Sequence, residues 1–194
     1  MKKLGEHIEE SELIQIKELI GNRIWFIRSP FLSANLNEKT HTANYFQIPF
    51  FWKDDYGNDQ SKNFEFRAEW AEDEETLIDY YTLKTKISEQ EKLTGDFENI
   101  WEQSLQRGLN SSISFNEFII SEIQILSRDE IVDNEAELKY DEGILLIDQN
   151  NNKILLSAEL KCTDQVEFIC DLKTIENRIT ELKIRKTLGN NVYN

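Results

Sequence analysis

Two neighbouring segments of this chain alternate apolar and polar side chains, and this pattern constrains the fold more than any other sequence feature. The apolar members are Phe46, Ile48, Phe50 and Trp52 in the first segment, and Phe64, Phe66, Ala68 and Trp70 in the second. Successive side chains of a strand point to opposite faces, so a period of two predicts two strands that each bury one face. The acidic turn 54–59 between them predicts a β-hairpin with an acidic tip. We expect Phe66 and Trp70 to lie in the core.

Three other segments repeat apolar residues at the spacing of an α-helix. They are 8–20, which Gly21 follows, 97–109, which begins after Asp96, and 172–182, which begins after Asp171. Aspartate is a favoured residue at the N-terminal cap of a helix, and glycine is a common stop signal. These segments predict an N-terminal, a middle and a C-terminal helix.

Runs of β-branched and aromatic residues predict further strands. They lie at 23–28, 77–87, 137–148, 153–162 and 166–170. The runs 144–147 and 154–156 are apolar on both faces, so we expect these two strands to be central and covered by helices. The segment 112–126 fits either a strand or a helix that starts with a capping box, and its isoleucines favour the strand.

Together these elements predict an α+β fold, in which a mostly antiparallel twisted sheet of about seven or eight strands carries three helices. The length of 194 residues, without a Pro- or Gly-rich linker, predicts a single domain over 1–194. Residues 1–6 and 189–194 are expected to fray at the two ends. The order helix, strands, helix, strands, helix also fits two loosely similar halves.

The chain has 37 acidic and 22 basic residues, and its net charge of −15 narrows the choice of partner. Negative charge repels phosphate backbones and anionic lipids, so we expect neither nucleic acid nor a membrane as partner. The N-terminus has acidic residues where a secretory signal would be apolar, and no apolar run approaches the length that crosses a bilayer. With only two cysteines, this pattern predicts a protein of the cytoplasm.

The residues that common catalytic and cofactor sites require are largely missing. The seven glycines form no phosphate-binding loop, and a catalytic triad has only His7 or His41 as its base. His41 precedes the hairpin in a polar loop and has the more plausible functional setting, although a solvated loop histidine is the simpler interpretation. The aspartates around Gly57 miss the EF-hand spacing. We therefore predict no cofactor, no metal site and no enzymatic activity.

The placement of charge is the most informative functional feature. Acidic residues concentrate in 65–102 and 117–148, whereas the last helix has a basic outer face. This pattern predicts a binding or inhibitory module that presents acidic and aromatic surface to a basic protein. In composition alone the chain resembles the immunity proteins that neutralise basic toxins, which makes a toxin enzyme one specific form of partner. Ordinary solubility charge on solvated strand faces explains the same pattern.

The candidate binding residues lie in two turns and one loop. They are Glu72, Asp73, Glu74 and Glu75 in the turn after the second hairpin strand, Asp54, Asp55 and Tyr56 at the hairpin tip, and His41. Turns stay exposed whatever the packing of the sheet, so their charges are available to a partner. Two other functions stay open: an acidic mimic of nucleic acid that inhibits a DNA-binding protein, and an enzyme with an unrecognised site. A deep pocket that gathers His41 with two carboxylates would favour the enzyme.

Overall fold

A computed structural model of the chain describes residues 2–5, 7–29, 32–35, 39–75, 78–89, 111–132, 136–158 and 165–189. Two helices lie in these residues, α1 (Glu10–Lys17) and α2 (Leu172–Ile179). None of the helices in this part of the chain has the length and apolar character needed to cross a membrane. The strands are β1 (Lys2–Leu4), β2 (Arg23–Ser29), β3 (Ser33–Asn35), β4 (Thr40–Ala43), β5 (Tyr45–Lys53), β6 (Asp59–Asp73), β7 (Ile78–Glu89), β8 (Ser111–Val132), β9 (Ala136–Asp148), β10 (Lys153–Ala158), β11 (Val166–Ile169) and β12 (Lys183–Gly189).

All these strands join one hydrogen-bonded sheet. Ten of them follow the order β3-β4-β11-β10-β9-β8-β2-β5-β6-β7, while β12 adds to β8 and β1 adds to β9. Within the described ranges, β1 and β9 pair in parallel and the other pairs are antiparallel. Lys2–Leu4, in the stretch expected to fray, therefore belong to the sheet.

The long strand β8 divides the sheet into two arms. Residues 111–119 pair with β2 and lead into the first arm, β2-β5-β6-β7. Residues 120–132 pair with β9 and lead into the second arm, β9-β10-β11-β4-β3. The arms face each other, because the ring of Phe168 on β11 lies 6.0 Å from that of Phe46 on β5 and 5.7 Å from that of Phe115 on β8. The core is therefore enclosed between two halves of one bent sheet.

Large apolar side chains fill the space between the arms. Fully buried members of this core include Ile24, Ile27, Phe46, Ile48, Phe50, Phe64, Phe66, Leu83 and Phe168. Burial of one such side chain contributes about 1.5 to 3 kcal/mol to stability. The alternating residues of both hairpin strands thus supply much of the core, as the sequence pattern predicts.

The prediction that Trp70 lies in this core is wrong. Its side chain is 48% exposed, whereas Phe66 on the same strand is 0% exposed. Along this face of β6, Phe64, Phe66 and Ala68 are buried, whereas Trp70 and Glu72 are exposed, so the core ends at Ala68 although the strand continues to Asp73.

Helix α1 covers the free edge of β7. Some of its side chains are buried in the core, and others accept hydrogen bonds from the backbone of β7. Leu13 and Ile16 are buried in the core. The residues just before these two bind the backbone of β7. Glu12 Oε1 accepts from the N–H of Thr85 at 2.9 Å, and Gln15 Oε1 accepts from the N–H of Ile87 at 3.2 Å. An edge strand presents unpaired amides that invite aggregation, so these two side chains protect the edge.

Helix α2 packs on the outer face of the second arm. Its Ile175 is buried in a small separate cluster with Leu126, Leu145, Leu155 and Ile169. This cluster explains why the runs in β9 and β10 are apolar on both faces, as the sequence predicts for strands covered by a helix. The predicted cap is also confirmed, because Asp171 accepts from the backbone N–H of Thr174.

The predicted fold class is wrong. The described residues form a mostly-sheet structure of twelve strands with two short helices, not an α+β fold of seven or eight strands and three helices. The predicted middle helix at 97–109 lies outside the described residues. The ambiguous segment 112–126 is strand, within β8. The extra strands β1, β3, β4 and β12 have short or polar sequences, and their strand conformation comes from pairing with neighbours rather than from local propensity.

Candidate functional site

The predicted acidic tip is the turn that joins β5 to β6, and Asp54 organises it. Asp54 Oδ1 accepts from the backbone N–H groups of Tyr56 at 2.9 Å and Asn58 at 2.8 Å. Its Oδ2 accepts from the side-chain amides of Asn58 at 3.1 Å and Gln60 at 3.0 Å. Gly57 has a φ of 80°, a conformation that glycine adopts without strain. Asp54, predicted as a binding residue, therefore has a structural task.

These hydrogen bonds favour the charged form of Asp54. The backbone N–H of Asn58, ahead of the amides of Asn58 and Gln60, lowers the pKa of this carboxyl from its ordinary value. A carboxyl with a lowered folded-state pKa stabilises the fold above its unfolded-state pKa and loses that contribution as the pH falls through the folded-state pKa.

Asp54→Ala is therefore expected to lower the melting temperature at pH 7, and the difference from the native protein should shrink below about pH 4. Circular dichroism melts across this pH range measure the effect. Asp55→Ala is the matched control, because its exposed side chain makes no hydrogen bond among the described residues. Equal melting temperatures for Asp54→Ala and the native protein at pH 7 would contradict the structural role of Asp54.

The turn between β9 and β10 repeats the same arrangement. Asp148 Oδ1 accepts from the backbone N–H groups of Asn150 and Asn152, both at 2.8 Å, and its Oδ2 accepts from the side-chain amide of Asn152 at 2.8 Å. Asn151 has a φ of 62° at the position of Gly57. In both turns an aspartate, a residue of positive φ three positions later and an asparagine after it close the hairpin.

The side chains at the β5–β6 tip face solvent. Tyr56 is 90% exposed, and Asp55 is exposed beside it. Asp59 lies 3.6 Å from Lys53 and 3.9 Å from Arg23, and Arg23 also lies 3.4 Å from Glu117. These carboxylates are only partly balanced, so the tip combines an exposed ring with excess negative charge.

The second predicted acidic group lies at the opposite end of β6. Glu72 and Asp73 are the last two residues of the strand, and Glu74 and Glu75 follow in the turn. A strand rises about 3.3 Å per residue, so this group is roughly 45 Å from the β5–β6 tip. The structure does not bring the two groups together. Each end of the strand therefore presents its own acidic surface.

His41 belongs to neither acidic end. It lies on β4, where its pairing partners are Phe168 of β11 and Ala34 of β3. Burial lowers the pKa of its imidazole, and its buried Nδ1 has no hydrogen-bond partner among the described residues. No contact joins it to a carboxylate pair in this part of the chain, so the arrangement that would favour an enzyme is not found there.

A cavity of about 560 Å³ lies between α1 and the outer side of β5, β6 and β7. Its ionisable lining residues are Glu12, Glu65, Glu69, Arg67, Lys84 and Lys86. Several of them already bind neighbours: Arg67 lies 2.5 Å from Glu69, and Glu65 accepts from Gln47 and Ser88. His41 does not line this cavity. The interactions of Glu12, Glu65, Arg67 and Glu69 thus link residues of the surrounding surface.

Sequence reasoning missed two buried carboxylates, Asp141 and Glu142, which are both 0% exposed. Asp141 accepts from Arg185 Nε at 2.7 Å and Nη2 at 2.6 Å, and from the backbone N–H of Ile8 at 2.8 Å. Glu142 binds the guanidinium of Arg128 through two nitrogens. Two adjacent acids in an apolar strand are the sequence signal, but the arginines lie on other strands. Since each charge is paired, these groups hold the fold together.

Within the described ranges, no group of three or more His, Cys, Asp or Glu side chains is arranged to hold a metal ion. The acidic ends of β6 are thus the best-defined candidate surfaces, and their assignment to binding stays a prediction. Comparison of the chain with protein-family models, with curated proteins and with solved structures finds no match.

Proposed function

We propose that the protein is an acidic binding module of the cytoplasm whose exposed carboxylates attract a basic protein partner. The observation that carries the proposal is the location of its charge. Three buried carboxylates, Asp141, Glu142 and Glu167, each pair with an arginine, so these pairs are neutral. The net charge of −15 therefore falls on the rest of the chain.

The acidic ends of β6 support the proposal. Asp55 and Asp59 at one end, and Glu72 and Glu74 at the other, are all exposed. Glu72 also stands directly opposite Asp79 on β7, and like charges in this position destabilise a sheet. The packing of the sheet therefore does not explain why Glu72 and Asp79 are both acidic. Attraction of a basic partner explains it.

An acidic surface of this kind steers a basic protein into contact and raises its association rate, and added salt screens the effect. An inhibitor that covers the basic site of a toxin enzyme is the narrowest form of this function.

Neutralising one acidic end tests the proposal. A tagged protein first isolates its partner from a lysate of the source cells at low salt. The double variant Glu72→Gln with Glu74→Gln is then expected to associate with the purified partner about threefold more slowly at low salt, and the gap should close at high salt. Surface plasmon resonance at several salt concentrations measures both rates. Asp73 and Glu75 are left intact because they interact with other groups.

The matched control is Glu130→Gln with Glu176→Gln, which removes the same charge from two exposed positions elsewhere. Neither double variant should lower the melting temperature, since exposed charges contribute within about 0.5 kcal/mol and Glu72→Gln also relieves the repulsion from Asp79. A slower rate for both variants would assign the steering to overall charge. Native rates for both variants at low salt would overturn the proposal.

A further inference from the structure

We propose, resting on the function proposed above, that Tyr56 is the anchor residue of the interface. The β5–β6 turn would insert this ring into a pocket of the partner that has an apolar floor and a border of lysine or arginine side chains.

The sister turn between β9 and β10 shows which residues this turn geometry requires. Both turns need an aspartate to accept the hydrogen bonds, a residue of positive φ three positions later and a final asparagine. The position of Tyr56 is filled by Asn150 in the sister turn, and the same hydrogen bonds form. The turn therefore does not require a tyrosine at this position.

Packing does not account for Tyr56 either. Its side chain is 90% exposed, the largest fraction among the exposed large apolar side chains of the described residues. A ring with this exposure contributes little burial to the fold. A large aromatic side chain held in water without a structural task is typical of an interface anchor, because tyrosine is enriched among the residues that dominate binding energy.

The turn also holds Tyr56 ready for binding. Its own backbone N–H donates to Asp54. After it, Gly57 adopts the positive φ that the turn needs, and Asn58 donates two more hydrogen bonds to Asp54. Ordering a loop on binding costs conformational entropy, and this loop is already ordered. Tyrosine itself has only two rotatable side-chain bonds to fix.

Charge around the ring indicates the chemistry of the pocket. Asp55 is exposed next to Tyr56. The side chain of Asp59, at the foot of the turn, is 72% exposed and is partly balanced by Lys53 and Arg23. A pocket that receives the ring must therefore place cationic groups at its border, while an apolar floor covers the ring itself.

Photo-crosslinking tests where the partner lies. The photoreactive residue p-benzoylphenylalanine replaces Tyr56 in one protein, Asn150 in a second and Glu74 in a third, and each is irradiated in a lysate of the source cells. We expect position 56 to capture a basic protein that position 150 does not capture. Capture at position 74 without capture at position 56 would overturn the anchor and leave the proposed function standing. Absence of a captured protein at all three positions would overturn both.

Affinity measurements with the purified partner then test the anchor itself. Tyr56→Asn copies the residue of the sister turn, so the fold should keep its melting temperature. We expect this variant to raise Kd at least about tenfold, chiefly through faster dissociation. Asn150→Ala is the matched control and should bind with the native Kd. A native Kd for Tyr56→Asn would show that the ring is not the anchor.

Discussion

Asp141→Asn should lower the free energy of unfolding by about 3 to 5 kcal/mol, which is the usual cost of breaking a buried ion pair from one side. Asp141 is 0% exposed and accepts hydrogen bonds from Arg185 and from the backbone of Ile8. The amide of asparagine has one acceptor oxygen and no charge, so it leaves Arg185 without its carboxylate. Urea melts followed by tryptophan fluorescence measure the loss.

The control for this prediction is Asp129→Asn, which removes a similar ion pair from a more exposed position. Asp129 lies 2.7 Å from Lys183, and its side chain is 31% exposed. Solvent screens such a pair, so the expected loss is below about 1 kcal/mol. Similar losses for the two variants would mean that burial does not set the strength of the Asp141 network.

Phe66→Ala should also lower the free energy of unfolding by about 3 to 5 kcal/mol, because it removes a large ring from a close-packed interior. Phe66 is fully buried near the middle of β6, where it pairs with Phe46 of β5 and Thr85 of β7. The cavity that the substitution leaves is surrounded by strands on both sides and cannot easily collapse.

The matched variant is Trp70→Ala, which removes a larger ring from the same face of the same strand. Since Trp70 is 48% exposed, we expect this substitution to lower the free energy of unfolding by less than about 1.5 kcal/mol, even though tryptophan is the larger side chain. Urea melts of both variants make the comparison. A larger loss for Trp70→Ala than for Phe66→Ala would contradict the placement of the core along β6.

The alternating pattern was enough to predict the β5–β6 hairpin, because a period of two places every second side chain on the same face. Helical spacing likewise predicted α1 and α2 at positions where the structure has them. The pattern could not predict the point along a strand at which the core ends. Trp70 continues the alternation of Phe66, but burial on this face of β6 ends at Ala68, which the sequence pattern does not indicate.

Other elements could not be predicted because their cause is not local. Strands β3 and β4 are polar or short, and they extend only because β11 pairs with β4. Asp141 is stable inside the protein because β12 brings Arg185 and the N-terminal segment brings His7 and Ile8. For the candidate site, sequence placed Tyr56 and Asp55 at an exposed tip. It did not reveal that Asp54 is used to build that tip.

The position of β8 between the two arms has a consequence for how the chain folds. Strand β2 finds its partner in β8 only after the whole first arm has been synthesised, and β1 waits for β9. Closing such long loops costs entropy before any contact compensates for it, and sheets of this kind fold on the order of milliseconds to seconds. Because each arm pairs with its own part of β8, neither arm completes its hydrogen bonds before β8 has joined it. Completion of the first arm is therefore a late event, and until it occurs the nascent first arm exposes the strand edge that β8 will cover.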